Sequence, residues 1–583
     1  MSKYQIKFKD KEYDASEYQE MIFDNIKEGY GNMLINAAAG ASKTSTIVNS
    51  LQFIPDDKKV LYIAFNRDIV ANIQNLVSRP NTDIVTFHSL GWSILSENGI
   101  IKNENGLDEY KYPNYIKELV SGMPKAFSKR EWKNYTNNIV NLVNYSRYYL
   151  CLSEKEILRI AALYGIPTIS DEIKVCRDVL MWGKEHSDTY DYTDLIWYVS
   201  VMNLSTKRHR YNWIFVDEIQ DTSVMQQAII EKCMKRGCRF VGVGDEDQTI
   251  NVWCGSSIEA IKKFKDKPNT KEFELPISYR CGKNIIKLAS QFSNKIKAFD
   301  QSPEGQIRYD VSRYEPQGGD MVLCRNTAPL VELHLQYLQR NKASYIRGAS
   351  KIRERYLSIC DGSASTMLDR NCVLSNTFFT DLYLRLIKMI ESIMNNFGLT
   401  IEDAVTHNSV MQFYDDINGL KALSDNISTV EQLREKIVTV LSNDEEKDAV
   451  QLSTIHKAKG LEANNVYILL PSLLPSKLAK RDWEIKTEQN LIYVAITRAK
   501  LSLNYIKEDS FQINRYVKTS ANAIINELDE IKKKINFNET LGLKTNIVPK
   551  IFSNVRKIGK PTDNTVSYEK KPKNGAQKFG NIL

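Results

Sequence analysis

The stretch "NMLINAAAGASKTSTIVNS" (32–50) decides how the rest of the chain is read. Its apolar run, Met33-Leu34-Ile35, has the make-up of a short buried strand; small residues follow, then Lys43-Thr44 and a helical pattern. A strand that turns through small residues into a helix aims backbone N–H groups and the positive end of the helix at one spot, which makes an anion site. Ala37-Ala38-Ala39-Gly40-Ala41-Ser42-Lys43-Thr44 fills the phosphate-loop window G-x-x-x-x-G-K-[ST], with Ala37 and Ser42 where glycines are expected. Lys43 is then placed for the β- and γ-phosphates of a nucleoside triphosphate and Thr44 for Mg2+. Ser42 requires a φ/ψ that suits a residue with a Cβ, as many helix-start positions do.

Two later segments supply what a phosphate loop needs. "WIFVDEIQDTS" (213–223) is an apolar strand ending in adjacent carboxylates. Asp217 is expected to hold Mg2+ through water, and Glu218 to orient and deprotonate the attacking water. Taken alone, an Asp-Glu pair after a strand is an ordinary solvated turn; downstream of a phosphate loop it is a specific signal. "VGVGDEDQTINVWCG" (241–255) is another strand, opening onto Gly244-Asp245-Glu246-Asp247-Gln248, with Gln248 placed to sense the γ-phosphate.

Apolar runs alternate with helical patterns along the chain, which predicts parallel α/β sheets. One set is 33–37, 60–65, 83–87, 213–218 and 239–245; a second is 320–325, 450–454, 465–470 and 501–506. Two α/β cores follow, interrupted by helical stretches, and 583 residues are too many for one core. The expected order is a first core over 1–94 with the phosphate loop, a helical insertion over 95–200, and the rest of the first core over 201–275. A second core then begins at 276–350, is interrupted by a reduced insertion over 351–446 and resumes over 447–510. Residues 511–583 form a helix, centred on 518–536, and a basic tail.

Composition bounds the class. Apolar residues make up 42% and charged residues 26%, and no apolar run approaches the roughly 18–20 residues of a membrane span. "MSKYQIKFKDKEYDAS" lacks an apolar signal core, so a cytoplasmic protein is expected. Nine cysteines without a C-x-x-C pair predict reduced structural thiols, neither a zinc site nor a disulfide framework. Residues 541–583 hold nine Lys/Arg against Asp563 and Glu569, so most of the net charge of +8 sits in the tail. Such a tail is either a solvated end or an arm for phosphates.

Read together and in order, the motifs over roughly 15–510 resemble those of superfamily 1 DNA helicases of the UvrD/Rep type. The resemblance implies two RecA-like parallel-sheet motor cores, each with a mainly helical inserted subdomain, ATP and Mg2+ as cofactors, and 3′→5′ movement on single-stranded and forked DNA. "ASEYQEMIF" (15–23) is similar to the motif in which a glutamine reads adenine, here Gln19. "LYIAFNRDIVANI" (61–73) and "VTFHSLGW" (85–92) resemble segments lining the DNA track, which marks Phe65, Thr86 and His88. "ELPISYRCGKNII" (274–286) would stack Tyr279 on adenine and bring Arg280 to the γ-phosphate. "VQLSTIHKAKGLEANNVYIL" (450–469) implies Thr454, His456 and Lys457 near DNA and Glu462 near the ribose, and "EQNLIYVAITRAK" (488–500) makes Arg498 a second arginine finger. Trp253 falls where the family places a base-stacking tryptophan; Asn251 and Cys254 stand where it usually has Tyr and Arg.

The leading expectation is a helicase of replication, repair or recombination, associated with the nucleoid or replication sites and meeting a replication or repair protein through its tail. A translocase that strips proteins with little unwinding is the alternative enzyme, motivated by the reduced insertion. A recruitment protein with a vestigial ATPase is motivated by Ala37 and Ser42. The E-x-K at Glu484-Ile485-Lys486 lies inside the motor core and reads as a surface loop rather than a nuclease centre.

Overall fold

The computed structural model describes residues 2–8, 11–65, 67–102, 104–121, 129–164, 166, 171–250, 258–362, 378–397, 399–442, 448–479, 481–508, 524–531 and 533. The basic tail and Trp253, Asn251 and Cys254 lie outside these residues.

A hairpin of β1 (Gln5–Phe8) and β2 (Lys11–Asp14) comes first. Then come β3 (Asn32–Ala37), β4 (Val60–Ile63), β5 (Thr82–Val85), β6 (Tyr211–Asp217), β7 (Met234–Gly244) and β8 (Thr270–Leu275). These six form one parallel sheet in the order β5-β4-β6-β7-β3-β8. A short parallel pair, β9 (Ile277–Ser278) and β10 (Lys297–Ala298), follows. The second sheet uses β11 (Gln306–Val311), β12 (Met321–Cys324), β13 (Ser344–Ile346), β14 (Val450–Thr454), β15 (Ala463–Ile468) and β16 (Ala499–Ile506). It too is parallel throughout, in the order β11-β16-β15-β12-β14-β13.

Both sheets are covered on both faces, which is why their strands read as unbroken apolar runs. Successive residues of a strand point to opposite faces. In β6, Trp213 and Phe215 join a central apolar cluster, and Ile214 and Val216 an outer one. In β12, Met321 and Leu323 enter the same central cluster, and Val322 and Cys324 the opposite outer one. The central cluster therefore runs between the two sheets without a break, and each outer cluster lies beneath one set of inserted helices.

Between β5 and β6 lie the helices Lys111–Ser121, Lys129–Tyr149, Glu154–Tyr164, Glu172–Glu185 and Asp194–Val201. A buried ionic knot ties them: Arg147 Nη1 reaches Asp191 Oδ2 at 2.8 Å and Asp194 Oδ1 at 3.0 Å. The Lys111 ammonium donates to the carbonyls of Gly183, His186 and Thr189. Between β13 and β14 lie Ala349–Asp361, Phe379–Phe397, Ile401–Val405, Asn408–Leu423 and Val430–Val440. Of the expected helix at 518–536, residues 524–531 are described, and they are helical. Ile524 and Leu528 pack into the second outer cluster, and Glu527 accepts from the hydroxyls of Tyr383 and Tyr414.

Some expectations shift. The run 83–87 ends as a strand at Val85, because Thr86 caps the helix Phe87–Glu97 through a reciprocal bond with Ser89. The E-x-K at 484–486 is helical, within Asp482–Ile496, instead of a loop. Among the described residues no helix is long and apolar enough to cross a membrane, and the seven cysteines are free thiols, six of them buried.

Candidate nucleotide and nucleic-acid site

Parallel strands deliver their chemistry at their C-terminal ends. Here β3 ends at Ala37, β6 at Asp217, β7 at Gly244, and all three ends meet along one crevice.

After Ala37 the chain turns through Ala38, Ala39, Gly40 and Ala41, and the helix Lys43–Ser50 begins. Ala37, Ala38, Ala39 and Ala41 are buried, and Ala41 N donates to Ala38 O at 3.1 Å. Gly40 is left-handed (φ 73°); a Cβ there would lie 2.6 Å from Arg280 Cβ and 2.8 Å from Ser278 Oγ. Ser42 corrects the expectation made for it. Its backbone is left-handed, φ 59° and ψ 36°, a region that suits glycine and costs a Cβ-bearing residue about 1–2 kcal/mol. Thr44, the expected Mg2+ ligand, is half-buried in the first turn of the helix.

Lys43 Nζ rests on Glu218 Oε1 at 2.8 Å. Glu218 is left-handed as well, φ 52°, which swings its side chain off the end of β6 and back to the loop. Its Oε2 accepts from Gln220, whose Oε1 in turn accepts Asp245 N at 3.1 Å. Asp217 is buried; Oδ1 accepts Glu218 N at 2.9 Å and Oδ2 accepts from Tyr62 OH at 3.3 Å. Burial raises the Asp217 carboxyl, and the neighbouring Glu218 charge raises it further. Burial also works against a charged Glu218, but the Lys43 and Lys459 ammoniums outweigh it and hold that carboxyl low. The same balance keeps Lys43 protonated: burial opposes its charge, while Glu218, Asp217 and Asp245 raise its pKa overall.

Gln248 faces both cores. Nε2 donates to Asp245 Oδ2 at 2.7 Å, and Oε1 accepts from Arg498 Nη2 at 3.2 Å. Arg498 is buried, with Nε on Val494 O (2.9 Å) and Nη1 on Leu461 O (3.1 Å). Burial and the nearby Arg280 lower it to about 10, so it remains a cation. Arg280 pairs with Glu462 at 2.6 Å, and Lys500 holds the other oxygen of Glu462 at 2.6 Å. Tyr279 is half-exposed, with its N–H on Gly40 O (2.9 Å) and its ring 4.9 Å from Phe299. Gln19 is buried in a capping box with Ser16, and its Nε2 donates to Thr46 Oγ1 at 2.8 Å.

The residues expected on the nucleic-acid track stand at or just after the ends of β4 and β5 in the first sheet and β14 in the second. Phe65 follows β4 and is 57% exposed. Thr86 is buried and its hydroxyl is taken by the helix cap; His88 is exposed, edge-on to Tyr192 at 6.3 Å. Thr454 ends β14, His456 is half-buried, and Lys457 is exposed with Nζ on Arg347 O at 3.3 Å. Burial and Arg325 push His456 down to about 4, so it is neutral at physiological pH.

Three residues at the seam escaped the sequence reading, although each sits inside a quoted motif. Gln220 links Glu218 to Asp245. Lys459 bridges the cores, with Nζ on Asp221 Oδ2 (2.6 Å) and Gln248 O (2.7 Å). Tyr493 contacts both Ala39 N and Asp245 Oδ2. A single phenol in the apolar helix run "LIYVAI" was the available signal for the last.

Residues 19–269 match the UvrD/REP helicase N-terminal domain, and residues 336–510 the UvrD-like helicase C-terminal domain. The ATP-dependent DNA helicase PcrA of Staphylococcus aureus is 23% identical over 654 aligned positions, covering 90% of this chain and 87% of the relative. PcrA of Staphylococcus epidermidis is 22% identical over 596, covering 81% and 80%. The ATP-dependent DNA helicase Rep of Buchnera aphidicola is 26% identical over 341, covering 54% of this chain and about half (48%) of the relative's length.

Proposed function

The chain belongs to the UvrD/Rep family of ATP-dependent DNA helicases, and on that premise we propose that it hydrolyses ATP to move 3′→5′ along single-stranded DNA and to separate duplex ahead of it. The observation that carries this reading is the contact of Arg498 with Gln248 beside the Lys43–Glu218 pair. Cations from one core and carboxylates from the other face the same crevice, which suits a phosphoryl group that gains charge on transfer.

In this reading Lys43 and the N–H groups opening the helix Lys43–Ser50 bind the β- and γ-phosphates. Glu218 orients and deprotonates the attacking water, and Arg280 and Arg498 neutralise charge on the γ-phosphoryl oxygens. Tyr279 stacks on adenine, Gln19 reads its edge and Glu462 lies near the ribose. Gln19 and Glu462 hold protein partners here, so they exchange them when nucleotide enters. The oxygen donors of Thr44 and Asp217 fit Mg2+, which takes few protein ligands and keeps water and phosphate for the rest. When bound, that ion supplies charge neutralisation between the phosphates. The two cores meet through polar contacts at the crevice, so nucleotide-driven closing and opening would move one DNA-contacting rim against the other. Phe65, Thr454 and Lys457 are the described residues placed to contact the strand, with Trp253 a stacking platform by family resemblance.

Steady-state ATP hydrolysis, with and without single-stranded DNA, tests the reading. DNA stimulation that Lys43→Ala abolishes is the expected result. Ser42 in left-handed backbone favours a second reading, a recruitment protein whose ATPase is spent. That reading expects no hydrolysis in either condition and unchanged activity in cells for Lys43→Ala.

A further inference from the structure

We propose that Tyr493 is a positioning residue that pins the second core to the phosphate loop and thereby sets where Arg498 stands; this rests on the ATPase reading above. Tyr493 is fully buried on the helix Asp482–Ile496, which leads into β16 of the second sheet. Leu491, Ile492, Val494, Ala495 and Ile496 around it are all apolar and buried, so its hydroxyl is the one polar side-chain group in that run. Ser293 lies within hydrogen-bonding reach of the hydroxyl on its own side, and two partners lie across the seam. The hydroxyl accepts Ala39 N–H at 3.1 Å and donates toward Asp245 Oδ2 at 3.3 Å. Asp245 Oδ2 also accepts from Gln248, and Gln248 accepts from Arg498. Arg498 is tied back to the same helix through Val494 O, and Thr497 N donates to Tyr493 O at 3.0 Å. The contacts therefore close a ring through Tyr493, its helix to Arg498, Gln248 and Asp245, and the phosphate loop is attached to that ring at Tyr493 through Ala39 N–H. Burial and the nearby Asp245 raise the phenol pKa, so it keeps the proton it donates.

Ala39 and Asp245 belong to the first core and Tyr493 to the second, so the bonds exist only while the cores are assembled. With the cores apart, water serves Ala39 N–H. With them together and the hydroxyl gone, a buried donor has no partner. Tyr493→Phe therefore penalises the assembled arrangement selectively and shifts the population toward separated cores.

The test uses the full chain. Without nucleotide, hydrogen–deuterium exchange in the peptide containing Ala39 should run about tenfold faster in Tyr493→Phe, with β4 and β6 unchanged. In DNA-stimulated hydrolysis, kcat should fall about tenfold with KM for ATP within about twofold, because the first-core contacts to nucleotide remain. Exchange that is unchanged at Ala39, or faster uniformly over the chain, overturns the proposal; so does faster exchange with kcat intact. A wild type that hydrolyses no ATP defeats the ATPase reading instead, while the nucleotide-free exchange still decides whether Tyr493 pins the cores.

Discussion

The two walls of the crevice are built by different means. On the first core the working groups stand on left-handed turns: Gly40, Ser42 and Glu218 all have positive φ, at a cost for the two that carry a Cβ. Those turns are formed by the first core's own backbone and hold Lys43, Asp217 and Glu218 in place whatever the second core does. On the second core the arginines are held by carbonyls. Arg498 gives Nε and Nη1 to Val494 O and Leu461 O and keeps Nη2 for Gln248, and Arg280 donates to Thr497 O. One wall is fixed in shape and rich in carboxylates; the other is cationic and completes the site only by contact. A substitution on the first wall should therefore remove chemistry outright, and one on the second should remove it only in the assembled state.

The largest effect is expected on the first wall. Lys43→Ala and Glu218→Gln should each lower kcat by about 10³ or more, read by single-turnover hydrolysis; residual rates within about tenfold of wild type would erase the distinction. Next comes Arg498→Ala. Its rate should fall by about 10³ while nucleotide affinity, measured by equilibrium binding, changes by less than about threefold. Arg498→Lys should not restore it, because Val494 O, Leu461 O and Gln248 are met by three separate guanidinium nitrogens, a span that one ammonium nitrogen does not cover. A large loss of nucleotide binding in either variant would mean that the second wall also shapes the empty site.

Acidity gives a smaller effect. Burial raises the Asp245 carboxyl to about 6, against the pull of Lys43 and Gln248. As pH falls through that value Asp245 takes a proton and ceases to accept from both Gln248 and Tyr493. Hydrolysis should fall about tenfold between pH 7 and pH 5 with the chain still folded. The sign follows from linkage: with its folded pKa raised, the folded chain is the better proton binder in that window, so this protonation does not unfold it. A rate flat to pH 5 would show that the seam does not need the carboxylate. The smallest effect belongs to Ser42→Gly. Removing a Cβ from left-handed backbone, less the added freedom of glycine when unfolded, should stabilise the chain by about 0.5–1 kcal/mol in thermal unfolding. An unchanged or lower midpoint would mean that the turn is not strained.

What was legible in the sequence follows the same division. Strands buried on both faces, such as β4 and β12, are runs of apolar residues and were readable as such. The edge strands β8, "TKEFEL", and β11, "QIRYDV", break their apolar residues with charged and polar ones and give no run to read. The three-residue β13 is too short. Lys43, Asp217 and Glu218 were legible because each sits where a strand ends and the chain turns. Tyr493 was not, because its meaning lies in a partner 454 positions away. Ser42 was misjudged because spacing says nothing of φ.

The strand order also sets a timetable for synthesis. The first sheet is complete once Leu275 has been made, but β11 lies at the rim of the second sheet and pairs with β16, the last strand among the described residues. At roughly 5–20 residues per second, a nascent chain carries β11 without its neighbour for on the order of 10–40 s. An unpaired strand on a ribosome is an invitation to the next chain along a polysome. Arg308 and Asp310 in the middle of β11 make it a poor template during that wait.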